Sequence, residues 1–153
     1  MGSVLLRLLP YVAVLAAIFG VIGLVNGYRT RAMRTLAERR GMCFLGKQLP
    51  KTFSMDRRHF PFHGALKLTR IYNVISGKRN GREVVIFDST FGGRHGYYCT
   101  FFAVRTESNP FDFDPTPWKL IQSKGWFALC RTRFLQIPWT MSVKEIEDHL
   151  ELI

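Results

Sequence analysis

The chain is short of the patterns that announce chemistry. Its three cysteines, Cys43, Cys99 and Cys130, are odd in number and show neither a framework spacing nor a CxxC pair. That excludes the disulfide skeleton of a small secreted domain and fits free thiols in a reducing compartment. The glycine-rich GGRHG at 92–96 has no strand-to-helix context and no Lys-Ser/Thr end, so it reads as a hairpin turn and not as a phosphate cradle. Internal repeats and low-complexity tracts are absent as well, which leaves room for one domain of ordinary size in 153 residues. Acids are scarce: 11 stand against 22 lysines and arginines, a formal charge of +11. Residues 1–41 hold six arginines and one glutamate, and residues 42–153 hold sixteen basic and ten acidic residues. Such an excess attracts polyanions, and a neighbouring apolar segment tips the choice toward anionic lipid and away from nucleic acid.

Charge is missing altogether from Leu8 to Tyr28, twenty-one residues in a row. As a helix that run is about 31 Å long, enough to cross a hydrocarbon core. Pro10 falls in the first turn of the apolar run, and Gly20, Gly23 and Gly27 are tolerated because lipid offers the backbone no competing partner. The run continues past its alanines with no small-x-small site at its end, which favours a signal anchor over a cleaved signal peptide. Arg7 and the α-amine flank one end. Arg29, Arg31, Arg34, Arg39 and Arg40 flank the other. The positive-inside rule therefore predicts a single-pass protein of the cell (inner or plasma) membrane, its N-terminus outside and its C-terminal mass in the cytoplasm. Gly23 and Gly27 form a small-xxx-small pair, which predicts a seam for a homodimer. Tyr28, Ala32, Met33, Leu36 and Ala37 recur at helical spacing and Gly41 suits the position after a helix end, so the helix is expected to run on. It then acts as a solvated stalk or as a cationic grip on lipid headgroups. The division is a transmembrane segment at 1–28, a basic juxtamembrane helix at 29–41 and a cytosolic α+β domain at 42–153.

Beyond Gly41 aromatic and β-branched residues are separated by turn signals. FSMDRRHFPFHGAL (53–66), broken by Pro61 and Gly64, predicts irregular structure with room for short strands. LTRIYNVISG (68–77) alternates, Asn80–Gly81 is a strong hairpin signal, and EVVIFDSTF (83–91) is apolar on both faces, as a central strand is. YYCTFFAVR (97–105) completes a three-strand meander, and WKLIQS and WFALCRTRF flank Lys124–Gly125 as a second hairpin. Between them ESNPFDFDPTPW (107–118) is a loop by composition. Ser142 with Glu145 makes a capping box, and Val143, Ile146, Leu150 and Ile153 form one stripe of a closing helix. The expectation is an antiparallel sheet of five or more strands closed by a C-terminal amphipathic helix.

Strands first and one helix last is an order that resembles the pleckstrin-homology-like superfold. The segments NVISGKRNGREVVIFDS, YYCTFFAVR and GWFALCRTRFLQIPWTMSVKEIEDHL resemble a group of uncharacterised bacterial single-pass membrane proteins. That resemblance implies architecture and carries no catalytic residue with it.

Several side chains are candidates for a site. Lys78, Arg79 and Arg82 cluster at the first hairpin tip, a place where lipid-binding pleckstrin-homology-like domains also carry basic residues; the plain alternative is a solvated turn. With Arg29, Arg31, Arg34, Arg39 and Arg40 they form the expected surface for anionic lipid or an acidic protein partner. Cys99 with His95 would be the pair for a membrane-associated enzyme, although Cys99 falls in an apolar strand pattern and no third group is at hand. His59 and His63, with Cys43 upstream, have FPF between them, which breaks the helix that metal spacing requires. Asp112 and Asp114 lie in a proline-bounded loop without a fixed partner. Trp118, Trp126, Trp139, Tyr97 and Tyr98 could stack on nucleic acid, but aromatics in strands are more often core. No metal or cofactor is expected. The function expected is a membrane-anchored, non-enzymatic binding or scaffold module.

Overall fold

The computed structural model describes residues 2–55, 68–91, 97–111, 118–133 and 137–153. The chain splits into two compact units, Met1–Ala32 and Met33–Ile153. Helix α1 (Gly2–Arg39) supplies the first unit and, with its last turns, the opening of the second. In the first unit α1 is long and apolar enough to cross a membrane by length and composition. Every residue from Leu8 to Tyr28 is exposed. No protein surface covers these side chains among the described residues.

The second unit is α+β, as its patterning predicts. Its strands are β1 (Cys43–Gly46), β2 (Leu68–Arg79), β3 (Arg82–Phe91), β4 (Tyr97–Arg105), β5 (Trp118–Ser123), β6 (Trp126–Arg133) and β7 (Ile137–Trp139), followed by α2 (Val143–Leu152). Every pairing is antiparallel, in the order β1-β2-β3-β4-β6-β5, with β7 alongside β6. The meander β2–β4 and the hairpin β5–β6 are those read from the sequence. The turns between their strands are tight: Asn80 (φ 48°) and Gly81 (φ 79°) join β2 to β3, and Lys124 (φ 50°) and Gly125 (φ 76°) join β5 to β6. Two consecutive residues with positive φ match the right-handed twist of the strands they join. The interior place of β6 was not anticipated. Residues 126–130 are buried on both faces, whereas in β5 only Ile121 and Ser123 are buried. The strand with two apolar faces goes inside and the other takes the edge.

Two cores result, one on each face of the sheet. Val84, Ile86, Phe102, Val104, Phe127 and Leu129 pack against Met33, Leu36 and Ala37 of α1 and Ile146, Leu150 and Ile153 at the chain's end. Met33, Leu36 and Ala37 are fully buried, so these turns of α1 belong to a folded core and are not a stalk. Val85, Phe87, Phe101, Ala103, Trp126 and Ala128 face the other way, where Leu49, Phe53 and Met55 pack on them. Phe87 stacks on Phe101 at 5.0 Å, and Phe53 meets Trp126 edge-on at 4.9 Å, contacts worth about 0.5–1.5 kcal/mol each beyond burial. Close approach fixes Gly77, where an added Cβ would lie 2.7 Å from Met42 Cγ.

Candidate functional site

The basic hairpin tip is built by the two-residue turn, which projects Lys78, Arg79 and Arg82 from the ends of β2 and β3. The three do not share a role. Arg79 turns back, its Nε donating to the Leu150 carbonyl oxygen at 3.3 Å. It thereby serves one of the carbonyls that the last turn of α2 leaves without an intrahelical partner. Lys78 and Arg82 are exposed and have no carboxylate partner among the described residues.

The arginines toward the end of α1 divide in the same way. Arg39 pairs with Glu147 at 3.0 Å, and Arg40 reaches Glu151 at 2.9 Å and Glu147 at 3.8 Å. Arg34 lies over the Phe44 ring, 5.3 Å from its centroid, a cation–π contact. Arg31 is exposed, and Arg29 is half-buried with interactions of its own. Arg39 and Arg40 thus hold α2 against the end of α1. The sequence carried a signal for this that charge counting passes over. Glu147 and Glu151 stand four apart on one helix face, a like-charge spacing that an isolated helix disfavours, and such a pair calls for cations from outside the helix.

The strongest buried polar cluster was not among the sequence candidates. Asp88, fully buried in β3, accepts hydrogen bonds from Asn73 Nδ2 (2.8 Å) and Thr100 Oγ1 (2.6 Å). Thr100 Oγ1 in turn accepts from the Met141 N–H at 3.0 Å. Asn73 holds φ at 54° where the β2–β3 register slips between Tyr72 and Ile75, a bulge that turns the amide toward Asp88. The network ties three strands to the lead-in of α2. Its sequence trace is Asn73 and Asp88, polar residues beside Val74, Ile75, Ile86 and Phe87.

His149 is buried between α2 and the sheet, 4.7 Å from the Trp118 ring and 5.6 Å from Phe102. Burial pushes its pKa below the ordinary histidine value, while Glu145 and Asp148 push weakly the other way. At the exposed face of the same helix, a hydrogen bond from Lys144 to Asp148 raises the lysine's pKa.

Cys99 is fully buried in the second core, its Sγ donating to the Thr100 carbonyl at 3.5 Å. Such a thiol packs as a small hydrophobe. His95, His59, His63, Asp112 and Asp114, together with the GGRHG turn and the 56–66 part of the irregular stretch, lie outside the described residues. Among the described residues no group of three or more His, Cys, Asp or Glu is placed to hold a metal ion. Trp126 is fully buried core, and Trp118 is half-buried beneath the Arg131 guanidinium. Gly23 and Gly27 have open space around their Cα atoms. No family model, curated protein or solved structure matches the chain.

Proposed function

We propose that the protein is a single-pass membrane-anchored binding module, with its N-terminus outside and the Met33–Ile153 unit in the cytoplasm. The observation that carries this reading is α1 itself: twenty-one consecutive uncharged residues, all solvent-exposed, followed within twelve residues by five arginines. A water-exposed apolar surface of that length is stable only in lipid, and the arginine flank opposes translocation. The cytoplasmic unit recruits anionic headgroups or an acidic protein partner through its uncommitted cations, Lys78 and Arg82, with Arg29 and Arg31 adding charge at the membrane. Each basic residue near an anionic surface contributes about 1 kcal/mol. Arg39, Arg40 and Arg79 are already engaged by α2 and contribute less. The burial of Cys99 supports the binding reading over a thiol enzyme, because a nucleophile needs substrate access.

Three measurements test it. Alkaline carbonate washing should leave the protein in the membrane pellet, and release into the supernatant would exclude an integral span. Protease added to intact cells should spare the C-terminal unit; its digestion with a protected N-terminal stub reverses the orientation. In nanodiscs, amide exchange at residues 78–82 should slow when phosphatidylglycerol replaces part of the phosphatidylcholine, and equal rates would remove lipid and leave the acidic protein partner.

A further inference from the structure

We propose that the sheet face opposite the helices carries a binding pocket for a small amphipathic organic anion, a carboxylate with a short hydrocarbon body. A cavity of about 340 Å³ opens there, lined among others by Cys43, Leu45, Ser76, Lys78, Val85 and Trp126. That volume lies at the lower end of the range for small-molecule sites. Cross-strand register explains its chemistry: Lys78 pairs with Glu83, Glu83 with Arg105, and Arg105 with Trp126, which puts the four in one row on one face.

Within this row the charges do not cancel. Glu83, the carboxylate of the lining, is taken by Arg105 at 3.2 Å. Lys78 is left as an exposed ammonium without a counter-ion among the described residues. The Ser76 hydroxyl lines the same wall, while Leu45 supplies exposed apolar surface and the buried Val85 and Trp126 lie beneath it. The site therefore offers one unmatched cation and a hydroxyl donor beside the exposed Leu45 side chain, and its carboxylate is spent. An anion with a hydrocarbon tail satisfies both parts; a cation satisfies neither, and a neutral polar solute leaves the charge unmatched and the apolar wall uncovered.

Cys43 makes the test direct, because its thiol is exposed and lines the pocket whereas Cys99 and Cys130 are buried. In full-length protein reconstituted in phosphatidylcholine nanodiscs, Cys43 is alkylated with anionic iodoacetate and with neutral iodoacetamide. The iodoacetate-to-iodoacetamide rate ratio should be about threefold higher in wild type than in K78Q, the effect of one partly screened charge at short range. K78E should lower it further. Millimolar hexanoate should slow wild-type alkylation by iodoacetamide at least about twofold, and hexanol at the same concentration should not. Continued inertness of Cys99 and Cys130 shows that each variant is folded. A ratio indifferent to residue 78, or a reaction that hexanoate does not slow, overturns the proposal, and the hexanoate arm needs no variant at all.

Discussion

Burial decides what an individual side chain does in this protein more than its chemical type does. Asp88 and Glu83 are both carboxylates on β3, one the fully buried hub of a structural network and the other at a pocket wall beside Arg105. His149 shows the same principle with a measurable consequence. Its folded pKa is lowered from 6.5 by burial, so the native state holds the neutral ring. Above 6.5 neither state binds the proton and the fold is unaffected. As pH falls below 6.5 the unfolded chain takes up the proton first, and stability declines until the pH passes the lowered folded value. The melting temperature of the full chain in a non-ionic detergent should therefore fall as pH drops from neutrality. H149F, which keeps an aromatic ring beside Trp118 and Phe102, should show a shallower fall; identical profiles would mean that this histidine contributes nothing to the dependence.

At the scale of elements, α2 is held by three kinds of contact of different strength. Ile146, Leu150 and Ile153 are buried against the sheet. The capping box closes its N-terminus, with Glu145 N donating to Ser142 Oγ at 3.1 Å and Ser142 N donating to Glu145 Oε2 at 2.7 Å. Arg39 and Arg40 pair with its acids at the surface. Exposed ion pairs are worth about 0.2–1 kcal/mol and weaken with salt, whereas removing an N-cap serine costs about 1 kcal/mol and is insensitive to salt. Denaturant titration should accordingly show S142A losing about 1 kcal/mol at any ionic strength. The double variant E147Q/E151Q should lose a similar amount or less in low salt and little in high salt; a salt-independent loss would mean the glutamates act by packing. The box was legible because Ser142 and Glu145 are three residues apart. For the ion pairs only the acidic half, Glu147 and Glu151 four apart, was legible; the arginines that meet it are more than a hundred residues away in the chain.

For the molecule as a whole, the turns of α1 after Ala32 belong to the compact unit that begins at Met33. A fragment starting at Arg29 should be soluble and unfold cooperatively, as followed by circular dichroism. One starting at Met42, where composition changes, lacks Met33, Leu36 and Ala37. Losing a buried Leu or Met side chain alone costs about 2–5 kcal/mol, against a total stability of about 5–15 kcal/mol. That shorter fragment should aggregate or stay unfolded, and a cooperative transition at a similar temperature would show that α1 is dispensable to the core. The sequence by itself determined the long apolar helix, the two hairpins and the capped last helix, because each rests on short-range physics: unbroken apolarity, positive φ at paired turn residues, a serine three residues before a glutamate. Only the tertiary structure decided that β6 and not β5 adjoins β4, that Arg39, Arg40 and Arg79 serve α2, and that Lys78 is left unmatched at a pocket. Those outcomes depend on which distant surfaces meet, and a linear pattern of charge and hydropathy carries no information about the partner that neutralises it.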